Sequence, residues 1–167
     1  MNRFYAIEVN NKYGFIDNDG HVVIDPKYDC VLSTYFSENL CPIQIDNMCG
    51  FIDLTGNLKI KPEYDEVTDF MYGLSAVSKF EKWGYINKDG EVIIPLVFDD
   101  ACCFSQDELA TVKLKNKWGY INKLGEFIIS PQFDEAYDFD GSLAKVIINE
   151  KFGYINRQGN IIWFQKD

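Results

Sequence analysis

The side chains that could carry out acid–base or metal chemistry are few in this chain. His21 is its single histidine and comes directly after Gly20 in a turn-like segment, which excludes a His-dependent catalytic triad and a metal site with several imidazole ligands. Glycine-rich phosphate loops are also absent, because the recurrent glycines are separated by strand-like segments and precede no predicted helix. We therefore expect no enzymatic activity and no required cofactor.

Five cysteines are the remaining nucleophiles, and their spacing argues against a disulfide or zinc framework. Their number is odd and the chain has no Cys-x-x-Cys motif, so they are predicted to be small apolar residues in a reducing compartment. Cys102 and Cys103 are the one adjacent pair, which suggests metal or redox chemistry, but no histidine is near them in the sequence. Their role is left open. The other three are Cys30, Cys41 and Cys49.

Carboxylates recur at one position, directly after an aromatic residue, as Asp29, Asp65, Asp99 and Asp134. Paired carboxylates can act as general acid and base, but a residue that recurs beside an aromatic at regular intervals is predicted to cap a turn or to accept backbone N–H groups. Segment 17–20 has the Asp-Asn-Asp-Gly sequence of a calcium loop. However, Tyr28 stands where the bidentate glutamate would be needed, and a simple turn predicts the same residues.

The spacing of these carboxylates reflects a repeat that runs through the chain. A Gly-aromatic-Ile-Asn/Asp phrase occurs five times at intervals of 36, 34, 35 and 34 residues, and a second glycine follows six residues later. Such a period indicates a supersecondary unit that buries its apolar face against its neighbours. The first glycines are Gly14, Gly50, Gly84, Gly119 and Gly153, and the second are Gly20, Gly56, Gly90, Gly125 and Gly159.

Each repeat is predicted to form a meander of three short strands, A, B and C. Segments such as 109–115, 118–121 and 126–129 are short and rich in β-branched and aromatic residues, which favours strands. The A–B connection is short and polar, and the B–C connection is Asn-x-x-Gly, in which the Asn caps the turn and the glycine takes a positive φ. The recurrent proline is predicted to end strand C. The spacing of apolar residues across 133–139 predicts one helical or 3₁₀ turn before the next repeat.

The most regular repeats resemble a known bacterial family. Lys-Trp-Gly-Tyr-Ile-Asn occurs at 82–87 and again at 117–122, where it is followed by a glycine and by Ile-Ser-Pro-Gln-Phe-Asp. This pattern is similar to the WG-repeat (WG-containing β-repeat) family over residues 4–164. The resemblance implies an all-β repeat protein with no shared catalytic residues and no single activity. Tyr13, Cys49 and Phe152 replace the tryptophan, which indicates that the position needs apolar bulk.

The repeats predict an all-β fold in one domain spanning residues 1–167. Five complete A-B-C units are predicted to form a curved, open β-solenoid or superhelix. A closed five-bladed propeller-like ring is the alternative, in which strand 161–164 pairs beside residues 4–9. An open array leaves Trp163 and Phe164 as an exposed apolar end, and we expect them to drive self-association unless a partner covers them.

Charge and hydrophobicity restrict the classes of partner. The chain is 47 % hydrophobic, which is enough for a core, and no apolar run reaches the length of a membrane span. No signal-peptide-like segment precedes the first strand, so we expect a cytoplasmic location and no membrane partner. A formal net charge of −10 disfavours nucleic acid. Recurrent aromatic residues could stack on sugars, which keeps carbohydrate binding open.

Acidic residues are concentrated between strand C and the next strand A. Four such segments, 26–40, 62–74, 96–109 and 132–143, contain fourteen of the 26 acidic residues and one of the 16 basic ones. Equivalent segments of a repeat array fall on the same side, so we expect an acidic rim, with the Lys-bearing hairpin loops elsewhere. The residues predicted to bind a partner are Glu63, Glu66, Asp69, Asp100, Asp107, Glu108, Glu135, Asp138 and Asp140.

An acidic rim on a rigid scaffold suits recognition of a basic protein partner. We therefore expect a non-enzymatic protein-binding module. An inhibitor, such as an immunity or anti-defence protein that covers the basic cleft of an enzyme acting on nucleic acid, fits this pattern. A generic scaffold and a module that binds carbohydrate of the cell envelope are the alternatives.

Overall fold

The computed structural model describes residues 4–166, which form five antiparallel sheets. Within every sheet the strands lie side by side in chain order, so each sheet is a meander. The first sheet has three strands and each of the others has four. The predicted all-β tandem repeat is therefore confirmed, with one additional strand in each of the last four units.

The strand bounds follow the repeat. The first sheet contains β1 (Tyr5–Val9), β2 (Lys12–Ile16) and β3 (Val22–Tyr28), and the second contains β4 (Cys30–Val31), β5 (Leu40–Ile45), β6 (Met48–Asp53) and β7 (Leu58–Tyr64). The third contains β8 (Glu66–Val67), β9 (Leu74–Lys79), β10 (Lys82–Asn87) and β11 (Val92–Phe98). The fourth contains β12 (Asp100–Ala101), β13 (Ala110–Leu114), β14 (Lys117–Ile121) and β15 (Phe127–Phe133). The fifth contains β16 (Glu135–Asp140), β17 (Leu143–Ile148), β18 (Lys151–Ile155) and β19 (Ile161–Phe164).

The two turns of each unit have the predicted chemistry. Strands A and B are joined by two residues with positive φ, for example Lys115 at 53° and Asn116 at 62°, as the right-handed twist of a tight hairpin requires. In the B–C turn, Asn122 Oδ1 accepts hydrogen bonds from the backbone N–H groups of Leu124 and Glu126, each at 3.0 Å. Gly125 closes this turn with φ +79°. Side-chain capping and a left-handed glycine therefore fix the turn together.

The first glycine of each repeat is required by a close approach of two strands. A Cβ atom on Gly119 would lie 2.6 Å from the carbonyl oxygen of Ile129 and 2.7 Å from the nitrogen of Pro131. Both atoms belong to the backbone of β15, which lies against β14. A side chain at Gly119 would therefore push strand C away from strand B.

The proline does not end strand C, contrary to the sequence-based prediction. Pro131 lies inside β15, which continues to Phe133. Strand C is at the edge of its sheet, and the register shifts between Trp118 and Tyr120 on the facing strand. Proline is tolerated at an edge and beside such an irregularity, because no ladder hydrogen bond is needed from its nitrogen.

The predicted helical turn before the next repeat is also wrong. Residues 135–140 form strand β16, and β4, β8 and β12 occupy the equivalent place in the other sheets. In β16 the register shifts between Ala136, opposite Val146, and Phe139, opposite Ala144. A bulge can bring two apolar residues with an odd spacing onto the same face of a strand, which the sequence pattern alone does not distinguish from a helical turn.

Consecutive sheets pack face to face through the recurrent apolar residues. The phenylalanine before strand A lies on the aromatic ring of the preceding strand B, with ring centroids 5.0 Å apart for Tyr85–Phe104 and 5.2 Å for Tyr120–Phe139. Strand β19 pairs with β18, and among residues 4–166 no strand pairing joins the last sheet to the first. The packing between sheets is also absent there: in the described chain nothing lies within 4 Å of a Cβ placed on Gly20 of the first sheet, and Trp163 of the last sheet is 47 % exposed. The array is therefore open. No helix in this part of the chain is long and apolar enough to cross a membrane.

Candidate functional site

The aspartate that follows the aromatic residue ties neighbouring sheets together. Asp134 forms an ion pair with Lys117 and accepts a hydrogen bond of 2.7 Å from the backbone N–H of Asn149, in the hairpin of the next sheet. These two interactions lower the pKa of Asp134, with the Lys117 contact the larger cause. Asp99 repeats the arrangement with Lys82, at 2.7 Å. The predicted structural role of this recurrent carboxylate is confirmed.

The nine acidic residues predicted to bind a partner do not form one continuous rim. One group lies near the A–B hairpins, a second lies near the B–C turns at the opposite end of the sheets, and two residues lie between them. The hairpin group is Glu63, Glu66, Asp100 and Glu135, the turn group is Asp107, Glu108 and Asp140, and the two between are Asp69 and Asp138.

The Lys-bearing loops are not separate from these acidic segments, which corrects the sequence-based expectation. Lys123 of a B–C turn lies 2.7 Å from Glu108, and Arg157 lies 2.6 Å from Asp107. Strand A begins where strand B ends in an antiparallel pair, so the connection that precedes strand A shares one end of the sheet with the B–C turn. Part of the acidic charge is thereby neutralised within the molecule.

Six of the nine predicted residues form what we name the acidic edge: Glu66, Asp69, Asp100, Glu135, Asp138 and Asp140. None of them forms an ion pair with any residue between 4 and 166. They lie on or beside β8, β12 and β16, each of which is the first strand of its sheet. Glu66, Asp100 and Glu135 occupy the same position in three consecutive repeats. The edge strands therefore present unpaired carboxylates in a regular series.

The position before the linker phenylalanine lies close to its equivalent in the adjacent repeat. The residue before the linker phenylalanine is Tyr35, Asp69, Cys103 or Asp138. A hydrogen bond to Asp69 raises the pKa of the Tyr35 hydroxyl. Burial raises the pKa of the Cys103 thiol, and the charges of Asp138 and Asp69 raise it further. Tyr35 and Cys103 therefore lie near the aspartate that occupies the equivalent position of a neighbouring repeat.

Asp138 is a carboxylate of the edge whose charged form is disfavoured by its surroundings. Partial desolvation raises its pKa above the ordinary range of an aspartate, and the nearby charge of Asp107 adds to the effect. No basic group of the described chain offsets this. A cation supplied from outside the chain would stabilise the charged form of Asp138.

Two of the five cysteines are buried, and Cys30, Cys102 and Cys103 are at least partly accessible. Cys41 and Cys49 are buried in the core, as predicted, and burial raises the pKa of the Cys41 thiol to about 12, which makes it unreactive. Cys102 is exposed and Cys103 is half-buried. Burial nevertheless raises the pKa of Cys102 as well.

The potential metal ligands that come together among residues 4–166 are Asp17, Asp19 and His21. Asp17 Oδ1 already accepts hydrogen bonds of 2.9 Å from the backbone N–H groups of Asp19 and His21. The backbone N–H of His21 is the main reason that the pKa of Asp17 is lowered. The group therefore has the geometry of a capped turn, as the sequence predicted.

Phe80 and Tyr154 are two of the exposed aromatic residues that the sequence analysis does not single out. Phe80 lies at an A–B hairpin with φ 54° and 83 % of its surface exposed, where the other repeats have asparagine, aspartate or lysine. Tyr154 is 37 % exposed, whereas the equivalent Tyr120 is 1 % exposed. An aromatic residue at a polar hairpin position was a visible signal for Phe80. Phe164 was predicted to be exposed together with Trp163; it is instead half-buried, because its ring lies over Gly153.

Comparison with known proteins identifies the repeat. A family model described as WG containing repeat matches residues 13–49, 50–82, 83–118 and 118–152. No curated protein matches the chain.

Among solved structures, the chain is similar to one described as the crystal structure of the eukaryotic initiation factor. The TM-score is 0.66 with 11 % identity, and the match covers 100 % of this chain and 52 % of that chain. The chain thus spans about half the length of this relative, and the likeness concerns the fold alone. A protein of unknown function from Bacteroides caccae is also matched, with a TM-score of 0.42, 15 % identity and coverage of 98 % of this chain and 72 % of that chain.

Proposed function

Because the chain belongs to the WG-containing repeat family, we propose that it is a non-enzymatic module that binds a basic protein through the acidic edge. The observation that carries the proposal is the set of six carboxylates without an ionic partner among residues 4–166. Their neighbours Glu63, Asp107 and Glu108 do form ion pairs. Carboxylates elsewhere, such as Asp19 and Asp25, also form no ion pair with a described residue, but the edge differs from them because Glu66, Asp100 and Glu135 recur at one position of consecutive repeats. A partner with Lys or Arg side chains at matching spacing would neutralise the edge.

Several carboxylates must act together for such recognition. At physiological ionic strength, charges are screened over about 8 Å, so one exposed carboxylate contributes little to attraction at a distance. Equivalent residues on three consecutive short strands extend the negative potential along the edge. The edge is therefore suited to steering a partner into place, which increases the association rate more than it slows dissociation.

The partner class that this charge supports is an enzyme with a basic cleft for nucleic acid. A series of carboxylates at regular spacing resembles a phosphate backbone in charge, and the formal net charge of −10 keeps nucleic acid itself away. In this form the protein acts as an inhibitor that occupies the cleft.

The proposal is tested by comparing two charge-matched variants as baits in an extract of the native cells. The edge variant replaces Glu66, Asp100, Glu135 and Asp138 by Lys. The control variant replaces Asp19, Asp25, Glu81 and Glu150 by Lys; these four are exposed and lie outside the edge. Both variants change the net charge equally. We expect the wild-type chain and the control variant to retain a basic protein that the edge variant loses.

Association kinetics with the captured protein then show whether the acidic edge acts on the rate of association. The edge variant is expected to slow association by about tenfold or more and to reduce its dependence on salt, while circular dichroism shows an unchanged fold. If the control variant loses the partner and the edge variant binds it normally, the site lies elsewhere and the proposal is wrong.

A further inference from the structure

Every junction between consecutive sheets uses the same pair of contacts. An isoleucine of strand C lies under the turn glycine of the next sheet; a Cβ on Gly159 would be 3.0 Å from Ile129 Cγ2. Beside it, the aromatic residue of strand B is covered by the linker phenylalanine, as Tyr120 is by Phe139. Strand C of one sheet also packs on strand A of the next. These contacts bury Ile129 to 3 % and Tyr120 to 1 % exposure.

The outer face of the last sheet has the equivalent positions of strands B and C, but no further sheet packs on them. Trp163 occupies the position of Ile129, opposite Tyr154, as Ile129 is opposite Tyr120. Trp163 is 47 % exposed and Tyr154 is 37 % exposed, and their rings lie 6.3 Å apart. No other sheet of the described chain packs against them. Half of the repeated junction is therefore present and unpartnered at this face.

The outer face of the first sheet is the complementary half. Gly20 has φ +82°, like the other turn glycines, but nothing lies within 4 Å of a Cβ placed on it. Val9, at the hairpin end of β1 in the same sheet, is exposed to 48 %. In the internal junctions, this turn and this strand are what the strand C residue contacts. The first sheet thus presents the kind of surface that packs on strands B and C at the internal junctions, and Trp163 and Tyr154 have no such surface against them in the described chain.

We propose that the chain associates head to tail with a second copy of itself, with Tyr154 and Trp163 of one molecule packed against the Gly20 turn and β1 of the next. A second copy of the chain is the partner that fits, because the two exposed faces correspond to the two sides of the interface that is repeated at every internal junction. Such an interface is heterologous, since different surfaces meet, and it can extend to further molecules.

The intermolecular junction is smaller than an internal one. Among residues 4–166 the first sheet has no short strand before strand A, so the junction formed by the described residues lacks the contacts that β16 makes with the preceding sheet. Interfaces of limited area are usually weak, and we expect a dissociation constant between about 1 µM and 1 mM. The association is independent of the acidic edge, so the edge variant should self-associate as the wild-type chain does.

Sedimentation velocity of the full chain, measured over a range of concentrations, tests the interface with three variants. The tail variant is Trp163→Asp, and the head variant combines Val9→Lys with Gly20→Asn, because asparagine tolerates positive φ. Ile162→Asp is the matched control, since Ile162 is 56 % exposed on the face of β19 away from the junction. We expect the control to associate as the wild type does and the tail and head variants to associate at least about tenfold more weakly.

Mixing provides the decisive measurement. The tail variant keeps its head and the head variant keeps its tail, so an equimolar mixture should form a one-to-one dimer and nothing larger. A wild-type chain that is monomeric at about 1 mM, the weak limit of the expected range, would overturn the proposal. So would association that survives Trp163→Asp, or a head variant that still associates by itself, because two tails would then be pairing with each other.

Discussion

The turn glycines offer a measurement of how strongly consecutive sheets are coupled. Gly56 and Gly90 have nearly the same backbone conformation, with φ +75° and +83°. Their surroundings differ. A Cβ on Gly56 would lie 2.7 Å from Ile24 Cγ2, whereas on Gly90 it would lie 3.6 Å from the nearest atom of Ile60. Substitution by alanine therefore imposes a similar backbone strain at both sites and a steric clash at Gly56 alone.

The expected magnitudes follow from these two effects. Holding alanine in the left-handed region costs about 1–2 kcal/mol, which applies to both variants. Overpacking against a buried side chain adds about 1–3 kcal/mol, and Ile24 is 2 % exposed with a branched, stiff side chain. We expect Gly90→Ala to reduce the free energy of unfolding by about 1–2 kcal/mol and Gly56→Ala by about 2–5 kcal/mol.

Urea denaturation followed by circular dichroism measures the difference, provided that one cooperative transition is seen. A double-mutant cycle with Ile24→Ala separates the clash from the backbone strain, since truncation removes the atoms that the new Cβ meets. The cycle should give a coupling of about 1–3 kcal/mol that favours the double variant. Equal losses for Gly56→Ala and Gly90→Ala, together with no coupling to Ile24, would refute the account of the junction.

Three further predictions concern single contacts within the repeat. Gly119→Ala should destabilise the protein by about 3 kcal/mol or more, as judged by its urea midpoint, because the new Cβ meets the backbone at Ile129 rather than a movable side chain. Lys82→Met should cost less than about 1 kcal/mol in the same assay, since the second repeat already has Met48 at this position. The pKa of Asp99 is lowered mainly by Lys82, so its contribution is present above the unfolded pKa of about 3.9 and is lost as the pH falls below it. The difference in unfolding midpoint between the wild type and Asp99→Asn should therefore be larger at pH 7 than at pH 3.

The parts of the fold that sequence reasoning predicted are those fixed by local chemistry. The turn from Asn122 to Glu126 was predicted because an asparagine side chain and a left-handed glycine specify it within five residues. The recurrent aspartate was predicted as a cap, and Asp134 does accept a backbone N–H. Its ion pair with Lys117 was not foreseen, because it joins residues 17 apart and depends on how strand C runs beside strand B.

The errors came from features that a pattern of residue types does not encode. Proline removes a ladder hydrogen bond, so the sequence predicts a strand end at Pro131, but an edge strand with a register shift does not need that bond. The acidic rim was predicted from segment composition alone. Antiparallel pairing brings Lys123 and Glu108 to the same end of the sheet, so only a subset of the carboxylates stays unpaired.

Departures from the repeat are more informative about function than the repeat itself. Four strand C positions have isoleucine, and all four are buried under a turn glycine. The fifth, Trp163, is larger and exposed, beside an exposed Tyr154. The outermost units of repeat proteins usually carry a polar outer face, which keeps the stack from continuing. The sheet of β16 to β19 instead presents the rings of Tyr154 and Trp163, and exposed apolar surface of this kind marks a site of interaction.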